Sequence, residues 1–220
     1  MSGNLYIIST PIGNLEDISY RAIKVLSSVD VIAVEDKRVT SKLLNHYDIK
    51  KQLITYNDFN ENYKYNNLIE LLNNNKNIAI VSDAGTPCIS DPGYRVVNAA
   101  IKNDIKVISV PGPSSVVSAM SISGLPSDKF FFEGFLPKKK GLNKRLNFLK
   151  DLEATVIIFE SPKRLIKTLN NIFEFMGDRV VSVCKEITKI HENTCFGTVS
   201  SILENFKKNK SIKGEFIILI

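Results

Sequence analysis

The sequence predicts an α/β fold in two lobes, a parallel-sheet lobe followed by a mixed-sheet one. Three observations carry this. Across residues 1–123, five short apolar runs alternate with five amphipathic stretches. Runs such as Val31–Val34 are apolar throughout, as in strands buried on both faces of a parallel sheet. After a Ser-Gly-Leu-Pro-Ser break at Ser123–Ser127, the alternation gives way to three late strands around one short helix. The lobes are therefore expected at 1–123 and 124–220.

In the first lobe, strands are expected at Leu5–Ser9, Val31–Val34, Gln52–Tyr56, Asn77–Ser82 and Ile105–Val110. The helices between and after them are Asp17–Ser28, Thr40–Tyr47, Glu61–Asn74, Gly93–Asn103 and Ser114–Ser123. Ile18, Ala22, Val25, Leu26 and Val29 fall at helical spacing, which gives the first helix one apolar stripe. In the second lobe, strands are expected at Lys129–Glu133 and Thr155–Phe159, with helices at Asn143–Leu152 and Pro162–Phe175. The second of these helices has proline in its first turn. Strands at Arg179–Cys184, Thr194–Val199 and Glu215–Ile220 and a helix at Ser201–Lys207 complete the chain.

With 44% hydrophobic and 24% charged residues among 220, the chain can bury a core, which excludes disordered, collagenous and disulfide-rich classes. No apolar run approaches the roughly 20 residues that span a bilayer, and no basic-then-apolar leader opens the chain. A cytoplasmic protein with no membrane contact is expected. Cys88, Cys184 and Cys195 have no CxxC spacing, and the only histidines are His46 and His191, so neither a disulfide nor a metal site is expected. The net charge of +6 is uneven. Residues 1–120 hold 12 Lys/Arg and 12 Asp/Glu, and residues 121–220 hold 17 and 11. A basic second lobe points toward a polyanionic partner.

Small, stiff loops gather at three strand ends: Thr10–Asn14, Asp83–Gly93 and Pro111–Ser115. Ligands of open parallel sheets bind beyond the carboxyl ends of the strands, so three such loops on one edge favour a ligand site. The nucleotide-binding patterns GxGxxG and GxxxxGK[ST] are absent, as are metalloprotease and serine-nucleophile signatures. Glu35–Arg38 ends the second strand and either contacts a ligand or caps the next helix. Glu160–Arg164 and Lys185–Glu192 follow strands in the second lobe. A charge abutting a buried strand must be paired or solvated, so ion pairs within the fold are the alternative to catalysis for Glu160 and Glu186. Lys138–Lys140, with Lys144, Arg145 and Lys150, forms either a phosphate-contacting loop or a solvated one.

Taken in order, TPIGNLEDIS (Thr10–Ser19), ED-x-R (Glu35–Arg38), SDAGTPCISDPG (Ser82–Gly93), PGPSS (Pro111–Ser115), GFLP (Gly134–Pro137), ESPKR (Glu160–Arg164) and KEITKIHE (Lys185–Glu192) resemble one family. It is the bacterial 16S ribosomal RNA (cytidine 2'-O)-methyltransferases, within the tetrapyrrole methylase superfamily. The resemblance runs from Leu5 to Ile220. It implies the two-lobe tetrapyrrole-methylase fold, S-adenosylmethionine (SAM) held between the lobes, and a cytidine ribose in the decoding region of 16S rRNA within the small ribosomal subunit as substrate. It also implies a homodimer. The residues implied to bind the cofactor are Pro11, Asp83, Ala84, Gly85, Pro87, Cys88, Ile89, Ser114, Ser115, Phe159, Gly214 and Glu215. Glu160, Arg164, Lys185 and Glu186 are the catalytic candidates, with one of the two glutamates taking the proton and Arg164 holding a phosphate. Arg38, Lys138, Lys139, Lys140, Lys144, Arg145 and Lys163 would meet RNA.

The sequence departs from the family pattern at Lys37, where Thr is usual, and at Ser115, where Ala is usual. The family pattern also carries a small helical tail beyond the strand that ends at Ile220, so the RNA contacts are expected from the second lobe. Two other readings stand beside this one. The first is a tetrapyrrole or corrin ring methyltransferase of the same fold, against which the basic loop argues. The second is a non-catalytic ribosomal RNA-binding or assembly protein.

Overall fold

The computed structural model describes residues 2–57, 61–208 and 211–220. It divides into two compact units, Met1–Ser114 and Ser115–Ile220. The first unit holds strands β1 (Leu5–Ile8), β2 (Val31–Val34), β3 (Gln52–Thr55), β4 (Ile78–Val81) and β5 (Val107–Val110). Its helices are α1 (Tyr20–Ser28), α2 (Lys37–His46), α3 (Glu61–Asn73) and α4 (Tyr94–Lys102). The sheet order is β3-β2-β4-β1-β5 and every pairing is parallel. β2 and β4 are buried along their whole length, as uniformly apolar runs require.

The crossovers β1-to-β2 and β2-to-β3 travel one way across this sheet, and β3-to-β4 and β4-to-β5 travel the other. Right-handed connections then place the helices on opposite faces. The packing agrees. Ala22, Leu26 and Leu44 of α1 and α2 pack with Ile8, Val34 and Val81. Leu68, Leu72, Val96 and Ala100 of α3 and α4 pack with Leu5, Ala33 and Ile80 on the other face. Neighbouring strands β1 and β4 therefore send their following loops to opposite faces, and their carboxyl ends flank the crevice where such sheets take ligands.

The second unit begins with α5 (Ser115–Ile122), which the sequence reading grouped with the first lobe. α5 packs on strand β10 (Phe216–Leu219), so it belongs with the second sheet. The remaining elements are β6 (Phe130–Phe135), α6 (Leu142–Lys150), β7 (Thr155–Glu160), α7 (Leu165–Met176), β8 (Val180–Lys185), β9 (Asn193–Thr198) and α8 (Val199–Lys207). The sheet order is β6-β7-β10-β8-β9, parallel only between β6 and β7. Leu146, Leu149, Leu165, Leu169, Ile172, Ile202 and Phe206 from α6, α7 and α8 cover one face, over Val156, Ile158, Val181, Val183 and Ile218. The shifted boundary leaves the charge split intact, because residues 115–120 carry no charge. No helix among the described residues is long and apolar enough to cross a membrane.

Candidate functional site

In the first unit the three small-residue loops meet at the crevice beside β1 and β4. Thr10 and Gly85 exchange two backbone hydrogen bonds, of 2.9 and 3.0 Å, which joins the loops after β1 and β4 directly. The Thr10 hydroxyl donates to the Ser82 carbonyl at 3.2 Å. The Thr86 hydroxyl donates to the Pro113 carbonyl at 3.2 Å, in the loop after β5. Its one proton is thereby used, so the 2.9 Å contact with Ser9 has the Ser9 hydroxyl donating. Gly112 lies so close to this relay that a Cβ there would stand 3.1 Å from that of Ser9.

The long loop is conformationally loaded. Gly85, Cys88, Ser90 and Gly93 all have positive φ, at 84°, 72°, 62° and 140°. Glycine adopts this freely, but at Cys88 and Ser90 it is strained, and such strain persists only where the surroundings over-determine it, often at ligand sites. Some of the loop's donors are consumed internally: Gly85 N–H by Thr10, Cys88 N–H by Pro92 and Ile89 N–H by Thr86. Ala84 and Thr86 N–H groups donate to no group among the described residues. Gly85 and Pro87 are buried, Asp83, Cys88, Pro11 and Ser114 are half-buried, and Ala84 and Ile89 are exposed. Burial pushes the Asp83 carboxyl above its ordinary range, and a 3.1 Å hydrogen bond from Asp36 N–H partly opposes this.

Glu35–Arg38 resolves toward the cap. Asp36 is the N-cap of α2, its carboxylate accepting from Arg38 N–H at 2.8 Å and from the Arg38 guanidinium. These bonds lower its pKa to about 2. Arg38 is itself well exposed.

In the second unit the charged strand ends are engaged within the fold. The Glu160 side chain is wholly buried at the end of β7. It accepts from Ser161 N–H at 2.7 Å and from the Thr168 hydroxyl of α7 at 2.6 Å, and it lies 3.4 Å from Arg164 Nε. Arg164 also donates to the Leu136 carbonyl at 2.8 Å. ESPKR thus ties β7, the start of α7 and the GFLP loop together. Lys163 on the same turn is exposed.

Glu186 follows β8 at φ 51°. Its carboxylate accepts from Glu215 N–H at 2.8 Å and from Lys189 Nζ at 3.1 Å, and Glu215 accepts from the same ammonium at 2.8 Å. The backbone bond from Glu215 leads in holding Glu186 below the usual carboxylate range. Gly214, at φ 103°, gives the close approach this needs, since a Cβ there would stand 2.7 Å from Glu186 Cγ. Lys185 makes no ion pair among the described residues.

Lys138, Lys139, Lys140 and Lys144 are exposed. Arg145 differs from them: it pairs with Glu133 and lies over the rings of Phe131 and Phe148, at 5.4 and 4.6 Å from their centroids. Its place in the fold is structural. Phe159 is half-buried, against Phe132 and Phe135. Ser9, Thr86, Thr168 and Lys189 are not among the sequence candidates. Three of them lie in or beside the motifs already quoted, but only the tertiary contacts show which side chains meet.

Residues 4–203 match the family described as Tetrapyrrole (Corrin/Porphyrin) Methylases. A Thermotoga maritima protein named ribosomal RNA small subunit methyltransferase I is 46% identical over 218 residues, 99% of this chain and 98% of that one. A Halalkalibacterium halodurans protein of the same name is 46% identical over 219 residues, 99% of this chain and 75% of that one. This chain thus spans nearly the full length of one relative and three quarters of the other. A solved Thermus thermophilus uroporphyrin-III C-methyltransferase, complexed with S-adenosylhomocysteine, shares the fold at a TM-score of 0.68 and 16% identity, with 99% and 97% of the two chains covered.

Proposed function

Because the chain belongs to the tetrapyrrole methylase family, we propose that it transfers a methyl group from SAM to the 2'-hydroxyl of a cytidine in the decoding region of 16S rRNA. The relatives named for small-subunit rRNA methylation support this substrate over a tetrapyrrole, since they match along almost the whole chain at 46% identity. The observation that carries the cofactor reading is the stitched edge at the β1 and β4 ends. The residues there suit a small polar cofactor. Ala84 and Thr86 offer free N–H donors, Asp83 offers a half-buried carboxylate for an ammonium or ribose hydroxyls, and the Ser114 side chain lies at the same edge. Pro11, Gly85, Pro87, Cys88 and Ile89 shape the loops.

When bound, SAM supplies a methyl group already activated on a sulfonium. The protein's task is then orientation: holding a ribose hydroxyl in line is worth on the order of 7–11 kcal/mol in the best cases. Neither glutamate is a free base. The Glu160 carboxylate is buried and bonded on both oxygens, and Glu186 is held ionised by donors already in place. Arg164 is occupied by Leu136 and Glu160. We therefore assign these three to positioning. Lys185 is the cation that polarises the 2'-hydroxyl, whose proton passes to water. Lys138–Lys140, Lys144, Lys163 and Arg38 meet phosphates.

The active species in this reading is a cytoplasmic homodimer. Exposed apolar side chains support the dimer: Val117 and Ile122 on α5, and Phe196 on β9, whose ring lies against Gly124. Incubation with tritiated SAM tests the reaction. Label entering RNA of small subunits supports the reading; label entering uroporphyrinogen, or neither, overturns it.

A further inference from the structure

We propose that Phe135, backed by Phe132 and Phe159, is a stacking platform for an unpaired nucleobase of the RNA, with Lys138–Lys140 gripping the adjoining phosphates. The inference rests on the RNA reading above and goes beyond it by naming how a base is held.

The platform is made by a backbone irregularity. In a regular strand, residues three apart point to opposite faces. Along β6 the register slips between Phe132, opposite Ile157, and Gly134, opposite Ile158, so that Phe135 stands opposite Phe159. Gly134 takes φ 70° within this bulge. Phe132 and Phe135 are thereby brought to the face of Phe159. The ring centroids lie 5.0 and 5.7 Å from that of Phe159, at interplanar angles of 66° and 70°. Phe132 and Phe159 are half-buried, while Phe135 is 59% exposed at the edge strand of the sheet. The two inner rings fix the outer one and leave its surface to solvent.

Its surroundings are cationic. Between Gly134 and Lys150 the chain carries six Lys/Arg and no carboxylate. Arg145 is neutralised by Glu133, and Lys138–Lys140 remain exposed. Lys138 is three residues from Phe135, at most about 11 Å between Cα atoms. An exposed ring beside unpaired cations suits a single-stranded nucleic acid, whose base stacks while its backbone is neutralised. A protein partner would leave the lysines unmatched unless it were acidic.

The chain has no tryptophan, so Phe135→Trp gives a single reporter at the platform itself. Its fluorescence is titrated with a single-stranded, cytidine-containing RNA oligonucleotide, with heparin, a polyanion without bases, and with SAM alone. Quenching by RNA and not by the other two is expected. Saturable RNA binding without quenching, or equal quenching by heparin or by SAM alone, overturns the proposal. In the full chain, Phe135→Leu keeps apolar bulk but removes the π-face. It is expected to raise KM for small subunits about 5- to 150-fold, leaving KM for SAM and the salt slope of RNA binding unchanged. If the wild type labels RNA and the Leu variant's KM stays within twofold, the platform fails alone; if the wild type labels no RNA, the RNA reading fails and takes the platform with it.

Discussion

Thr86→Val removes one hydroxyl from the point where all three ligand-edge loops meet. The side chain keeps its shape and loses its proton donor and its acceptor together. Ser9, only 3% exposed, is left with a buried hydroxyl that has no partner, at a cost of about 1–3 kcal/mol. The half-buried Pro113 carbonyl can turn to water, so losing its bond costs about 0.5–1 kcal/mol more. The sum is about 1.5–4 kcal/mol, or a drop of roughly 3–16 °C in melting temperature for a chain of this size. The loop after β5 is also released from the loop after β4, so SAM affinity by calorimetry should weaken at least fivefold. Thr86→Ser should restore both. If Thr86→Val melts within 2 °C of wild type and binds SAM equally well, the relay does not hold the site together.

Three other outcomes follow from the geometry. Asp36 has its carboxyl depressed in the folded state, so its capping contribution is complete above the ordinary carboxylate range and lost as pH falls through about 2. Asp36→Ala should therefore melt below wild type at pH 7, with the gap closing between pH 4 and pH 2. Glu160→Gln removes the charge facing Arg164, which is partly solvated, and should cost about 2–3 kcal/mol in a urea titration. The pH dependence of kcat should not move; loss of its acidic limb would instead make Glu160 the base. Replacing Lys138, Lys139 and Lys140 by Ala should raise KM for RNA and reduce the slope of log K against log salt by roughly 2. An unchanged slope would remove these lysines from the phosphate contacts.

The strands and strand-end loops were legible in one dimension because burial on both faces demands unbroken apolar runs and tight βα turns demand glycine and proline. Ile78–Val81 and Asp83–Gly93 illustrate each. The placement of α5 was not legible. Its apolar residues, Val116, Ala119 and Met120, state that it is buried but not against which sheet. Glu160 and Arg164 read equally well as catalytic or structural until Thr168, eight residues on, was seen to close the carboxylate's coordination. Arg145 looked like one more cation of the lysine run, because its partner Glu133 lies on a different element. The bulge in β6 left its only trace in Gly134, and glycine in a strand has several causes.

The proposed reaction is methyl transfer to a ribose hydroxyl of small-subunit RNA. Its most direct test is to incubate the protein and tritiated SAM with small ribosomal subunits lacking the modification, digest the RNA to nucleosides, and locate the label by chromatography and mass spectrometry. Label is expected in 2'-O-methylcytidine from a single site in the decoding region. Label on a base, on another nucleoside, or absent from RNA would contradict it.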